Sequence, residues 1–133
     1  MDDHNYHSSS SAKTFKGKTG LRRVWNAAGF SIAGYQAAWQ NEAAFRQVSL
    51  MACIGIALAL WLPITWPFRA LILMSHFICV VVELLNSAVE AAVDHTSLEI
   101  HPLAKRAKDL GSAAQMTSLL GLAAMWTIGL LIG

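Results

Sequence analysis

The chain has 133 residues, of which 55% are hydrophobic and 14% charged, and its mean hydropathy is +0.44. Those values exclude an ordinary water-soluble domain, in which about 25% of residues are charged. A formal net charge of +2, with no interleaving of basic and aromatic residues, excludes a nucleic-acid partner.

Residues 1–20, "MDDHNYHSSSSAKTFKGKTG", read as a polar, disordered cytoplasmic tail that lacks the apolar core of a signal peptide. "AKTFKGKT" at 12–19 fits a loose phosphate-loop pattern with Ala12 in place of the first glycine. That motif needs a preceding strand to converge backbone N–H groups on phosphate, and a serine run supplies none. From Leu21 the pattern changes. Leu21, Trp25, Ala28, Ile32, Tyr35 and Trp39 recur at steps of three and four, with Arg22, Arg23, Gln36 and Gln40 off the stripe. This predicts an amphipathic helix over about 21–40, lying on the cytoplasmic membrane surface with its aromatic residues at the boundary. The alternative is a first helix packed on the bundle, and Gly29 and Gly34 allow a kink.

Three stretches are uncharged: Gln47 to Phe68, Ala70 to Val82 and Leu110 to Gly133. The middle one has thirteen residues and reaches only about 20 Å of a hydrocarbon layer about 30 Å thick, so its helix must continue through Glu83. Spans are therefore expected at about 43–62, 68–93 and 109–132, within one membrane domain covering 21–133. Cys53 and Cys79 fall inside these apolar segments without metal-type companions, and no disulfide is inferred. Lys13, Lys16, Lys18, Arg22, Arg23 and Arg46 precede the first span, and Lys105, Arg106 and Lys108 lie in the loop expected before the third. Only Arg69 sits near the first turn, and no Lys or Arg follows Leu110. This asymmetry places the N-terminus and the basic loop in the cytoplasm, and the first turn and the C-terminus outside.

Glu83, Asn86, Glu90 and Asp94 have offsets of 0, 3, 7 and 11, which fall within about 80° of one helix face. With Arg69 at the outer boundary, Glu83 lies about 20 Å in and Glu90 about 30 Å in, near the cytoplasmic interface. A carboxylate in hydrocarbon costs about 3 kcal/mol or more, which argues for function. A partly desolvated carboxylate suits a general base, and water-accessible glutamates suit a hard cation. The bland reading makes Glu83 a protonated hydrogen-bonding link between helices, with Asp94 solvated. His76, alone on an apolar stretch, reads as a buried hydrogen-bonding residue. A base just below the interface can meet a lipid hydroxyl while the basic loop meets a soluble anion. A non-enzymatic rival is a small ion- or proton-conducting subunit, but beyond the stripe only Ser75 and His76 could serve a through-path.

"GLRRVWNAAGFSIAGYQAAWQNEAAFRQ", "VELLNSAVEAAVD" and "AKDLGSAA" together resemble the small bacterial integral-membrane diacylglycerol kinases, from about Leu21 to the C-terminus. The resemblance implies an all-α homotrimer of three-span protomers with N-terminal surface helices, sited in the bacterial cytoplasmic (inner) membrane and phosphorylating diacylglycerol with Mg-ATP. It implies Glu83 as base, oriented with the help of Asn86, and Glu42 and Glu90 as holders of Mg²⁺. Nucleotide contacts would come from Arg23, Phe30, Glu42, Glu90, Glu99, His101, Lys108 and Asp109, with Lys108 on phosphate. Lipid contacts would come from Arg23, Ala28, Ser31, Trp39, Trp61, Arg69, Glu83, Ser112 and Trp126. Two features depart from the pattern. Phe30 stands where the family has a tyrosine, and "HPLAKRAKD" at 101–109 resembles the related undecaprenol kinases, which makes undecaprenol the alternative lipid.

Overall fold

The computed structural model describes residues 20–96 and 101–133. The tail, the phosphate-loop-like stretch and Glu99 lie outside the described residues. Among the described residues there are four helices and no strand: α1 (Leu21–Asn41), α2 (Ala43–Trp61), α3 (Trp66–Thr96) and α4 (Pro102–Ile132). The described chain forms two units divided within α1, the first ending at Gln36 and the second beginning at Ala37.

In the first unit, α1 starts after Gly20, whose φ of 69° lies in the left-handed region open to glycine. The Gly20 carbonyl accepts from the backbone N–H of Arg23 at 3.0 Å and of Val24 at 3.4 Å, closing the first turn. The helix then continues through Gly29 and Gly34. Trp25, Ile32 and Tyr35 of the predicted stripe are exposed.

In the second unit, α1 ends at Asn41 and α2 begins at Ala43, with extended backbone at Glu42 between them (φ −111°, ψ 109°). Arg46 holds this joint by donating from Nη1 to the carbonyls of Trp39 at 2.7 Å and Gln40 at 3.4 Å, which satisfies acceptors left open at a helix C-terminus. The Trp39 and Phe45 rings meet edge to face at 6.5 Å across it. At the other end of α2, Arg69 donates from Nη2 to Leu62 O at 3.0 Å and stacks over the Trp66 ring at 4.7 Å, fixing the Pro63-containing turn into α3.

The central element is α3, against which both α2 and α4 pack. Its buried positions Ile72, His76, Cys79, Glu83 and Ser87 follow steps of three and four. One core cluster joins Val48, Cys79 and Leu122, and another joins Ala59, Ile64 and Ile72. His76 is 1% exposed, donates from Nδ1 to Ile72 O at 2.9 Å and meets the Trp126 ring edge to face at 6.1 Å, as a buried hydrogen-bonding histidine should. Its ring fills the space where a side chain at Gly55 would begin, so α2 approaches α3 closely there.

α2, α3 and α4 are each long and apolar enough to cross a membrane, yet no more than 28% of their most apolar windows is buried. Large side chains such as Leu50, Ile54, Met74, Phe77, Leu120 and Leu131 point outward. Water would oppose so much exposed apolar surface, and hydrocarbon would not. One boundary differs from expectation. The basic residues 105–108, predicted as loop, occupy the first two turns of α4, because His101 accepts from Leu103 N at 3.2 Å through Nδ1 and Pro102 opens the helix. Proline is favoured there, since its missing N–H would be unpaired in any case.

Candidate active site

Burial along the polar stripe of α3 is graded. Glu83 is 3% exposed, Asn86 and Glu90 are half-buried, and Asp94 is exposed. The gradient follows how far α2 and α4 cover α3, a helix of 31 residues. Glu83 is therefore packed among the helices, while Asp94 is exposed beyond the packed core.

The joint between α1 and α2 supplies the third acid. Glu90 and Glu42 are the two carboxylates whose charges act on Glu83. Glu42 occupies the N-cap position of α2, but its side chain makes no capping hydrogen bond. Glu90 is oriented by Asn86, which donates from Nδ2 to Oε1 at 3.2 Å. Asn86 in turn lies against Gly111 of α4, its Oδ1 filling the place of a Cβ at that position. Carboxylates that act on one another repel unless protons or a cation neutralise them. Oxygen donors of this kind suit a hard cation. Among the described residues no cluster of three or more His, Cys, Asp or Glu side chains closes round one point, so water or ligand oxygens would complete such a cation's shell.

Beside the acids stands a cation. Lys108 Nζ of α4 donates to Asp94 Oδ1 at 2.8 Å and Oδ2 at 3.1 Å, tying α4 to α3. Asp109 pairs with Lys105 at 2.6 Å in an exposed contact one turn apart. His101 is exposed and committed to its cap. The structure thus groups Glu42, Glu83, Asn86 and Glu90, with Asp94 farther along α3 and bonded to Lys108 of α4.

The expected lipid contacts divide. Ser112 is exposed near the start of α4, and Trp126 lines an apolar groove of about 910 Å³ together with Leu50, Gly55, His76 and Leu122. Trp61 and Arg69 lie at the far ends of α2 and α3, and Arg69 is fourteen residues, about 21 Å of helix, from Glu83. They do not join the acidic group. Trp39 is exposed at the α1–α2 joint. Arg23, Ala28, Phe30 and Ser31 belong to the first unit and are exposed along α1, with the Ser31 hydroxyl donating to Ala27 O at 3.0 Å.

The sequence reading missed two buried polar residues, Ser87 and Gln115, each 8% exposed. The signal for Gln115 was a lone amide inside the uncharged stretch from Leu110 to Gly133. Ser87 was hidden in the stripe, one turn beyond Glu83. Arg46 was counted only for its charge, whereas its structural part is to hold the joint that carries Glu42.

The family model described as prokaryotic diacylglycerol kinase matches residues 29–130. A relative named diacylglycerol kinase from Pseudomonas aeruginosa PAO1 is 49% identical over 121 residues, covering 91% of this chain and 98% of the relative. One of the same name from Escherichia coli K12 is 43% identical over 110 residues, covering 83% and 90%. Another from Helicobacter pylori J99 is 42% identical over 107 residues, covering 80% and 84%.

Proposed function

The chain belongs to the prokaryotic diacylglycerol kinase family, and from that premise we propose that it transfers the γ-phosphoryl group of ATP to diacylglycerol, yielding phosphatidic acid at the membrane surface. The observation that carries this reading is a buried glutamate, Glu83, set beside two further carboxylates on a helix long enough to cross a membrane. A buried carboxylate can take a proton that a solvated one would leave to water.

In this mechanism the lipid hydroxyl approaches Glu83 from the bilayer, and Glu83 accepts its proton as the oxygen attacks the γ-phosphorus in line, while the bond from that phosphorus to the bridging oxygen breaks and ADP leaves on the opposite side. Asn86 and the acids restrict where the hydroxyl can sit, supplying much of the catalysis by positioning. Glu42 and Glu90 would hold Mg²⁺, and the mutual repulsion of the carboxylates supports that assignment. When bound, the ion supplies charge neutralisation on the phosphates. Lys108 would exchange its bond to Asp94 for one to phosphate, and that exposed pair is readily broken. Arg23, Phe30, Glu99, His101 and Asp109 complete the nucleotide side in this reading. Ala28, Ser31, Trp39, Ser112 and Trp126 flank the lipid, while Trp61 and Arg69 could touch only its distal chains.

The protein is a multi-pass membrane protein. We place it in the inner membrane with α1 on the cytoplasmic surface, the C-terminus outside and three copies forming a trimer. The experiment that tests the proposal measures phosphate transfer from ATP to diacylglycerol and, separately, to undecaprenol in mixed micelles. Preferential transfer to diacylglycerol supports it. Preference for undecaprenol replaces the substrate, and transfer to neither by folded protein overturns the kinase reading.

A further inference from the structure

Besides Arg69 Nε near the start of α3, three buried polar atoms of the described α3 and α4 have no hydrogen-bond partner: Asn86 Oδ1, Ser87 Oγ and Gln115 Nε2. Each such atom is unfavourable inside a protein and more so at membrane depth, where water does not compensate it. Two of the three are complementary, since Oδ1 only accepts and Nε2 only donates.

They also belong to two helices that pack on each other. Asn86 Oδ1 occupies the space of a Gly111 Cβ, with Asn86 Cγ 3.2 Å from that position. Gln115 lies four residues beyond Gly111 on α4, on the same face, and a helical side chain leans over the turn that precedes it. Gln115 is 8% exposed; the Ser118 hydroxyl donates to the Gln115 backbone carbonyl at 2.8 Å and lies 3.2 Å from Oε1, while Nε2 has no acceptor.

We propose that Gln115 is a positioning residue of this site: on a turn of its side chain away from Ser118, its Nε2 donates to Asn86 Oδ1 and so fixes which end of the Asn86 amide faces Glu90. The inference rests on the kinase reading for its effect on activity. A terminal amide can turn over about its last torsion at little cost. Turned over, Asn86 would set Oδ1 against the Glu90 carboxylate, acceptor to acceptor, and the 3.2 Å bond from Nδ2 would be lost. A donor at Gln115 accepts only one of the two orientations. Glu90 is thereby held through a relay of two amides from α4, and its readiness for a cation depends on a residue that touches neither substrate. Partners in such an outer shell commonly change metal affinity or activity by about 10- to 100-fold.

The test is a double-mutant cycle with Gln115→Met, which keeps the length and removes the donor, and Asn86→Ala. Two readouts are followed in detergent micelles: steady-state kinetics and the thermal unfolding midpoint. The expected result is a loss of about tenfold in kcat/KM for Mg-ATP in Gln115→Met, with KM for diacylglycerol within about twofold. On the Asn86→Ala background the same change should cost less than about twofold, and the unfolding shifts should be non-additive as well. Equal losses on both backgrounds overturn the proposal, as does unchanged activity in Gln115→Met. So does a loss that tracks a lower midpoint and raises every KM together, which would mark a purely structural residue. Ser87→Ala reproducing the Gln115→Met defect would assign the donor to the other acceptor and overturn it too. If the unmodified protein transfers no phosphate, the kinase reading fails by itself, and non-additive unfolding still decides the pair.

Discussion

Gly111→Ala probes the contact on which the acidic group depends. An added Cβ would coincide with Asn86 Oδ1, leaving Asn86 Cγ 3.2 Å away. The clashing atom is the end of a rotatable side chain, so Asn86 turns aside before the helices separate. Overpacking costs about 1–3 kcal/mol, and relief by rotation keeps it near the lower limit. Losing the Asn86–Glu90 hydrogen bond costs about another 1 kcal/mol. Replacing glycine by alanine inside a helix returns about 1 kcal/mol. The net destabilisation is therefore only about 1–2 kcal/mol. Activity should respond far more strongly, because Glu90 loses its orienting partner: a decrease of about 10- to 100-fold is expected. Phosphate transfer to diacylglycerol and thermal unfolding, measured on the same micellar preparation, separate the two effects. Retention of more than half the activity would refute the reasoning, as would an activity loss wholly explained by unfolding.

Lys108→Met should lower kcat/KM for ATP by about 100-fold, while Lys105→Met, whose partner is the exposed Asp109, should change it less than about threefold in the same assay. Gly55→Ala places a Cβ 2.7 Å from His76 Cε1 and 2.9 Å from Cδ2, and the ring is pinned by Ile72 O and Trp126. Unlike Gly111→Ala it should act on stability, lowering the unfolding midpoint through about 1–3 kcal/mol of overpacking. Arg46→Met uncaps the end of α1 beneath Glu42, at about 1 kcal/mol, and should weaken Mg²⁺ dependence in a metal titration of activity more than it lowers the unfolding midpoint.

Glu83, Asn86 and Glu90 could be found in the sequence because helical spacing alone places them on one face. How deeply each is buried could not, since that depends on where α2 and α4 stop covering α3. Glu42 entered the sequence reading through position and resemblance. Its approach to Glu83 depends on an extended residue between two helices, which periodicity does not reveal. The start of α4 was misread because Lys105, Arg106 and Lys108 resemble a solvated loop, whereas His101 and Pro102 supply a helix start from non-standard parts. Gln115 was visible as an amide in an apolar run. Whether it faced lipid or protein required the rotation of α4, which becomes plain once Gln115, Leu122 and Gly129 are seen buried at intervals of seven.

The central claim is that Glu83 removes the proton from the lipid hydroxyl. The most direct measurement compares phosphate transfer to diacylglycerol by the unmodified protein and by Glu83→Gln at matched helicity and thermal unfolding. The substitution keeps size and hydrogen bonding and removes the base, so transfer should fall by at least about 100-fold. Retention of more than a tenth of the activity in folded Glu83→Gln would contradict the account.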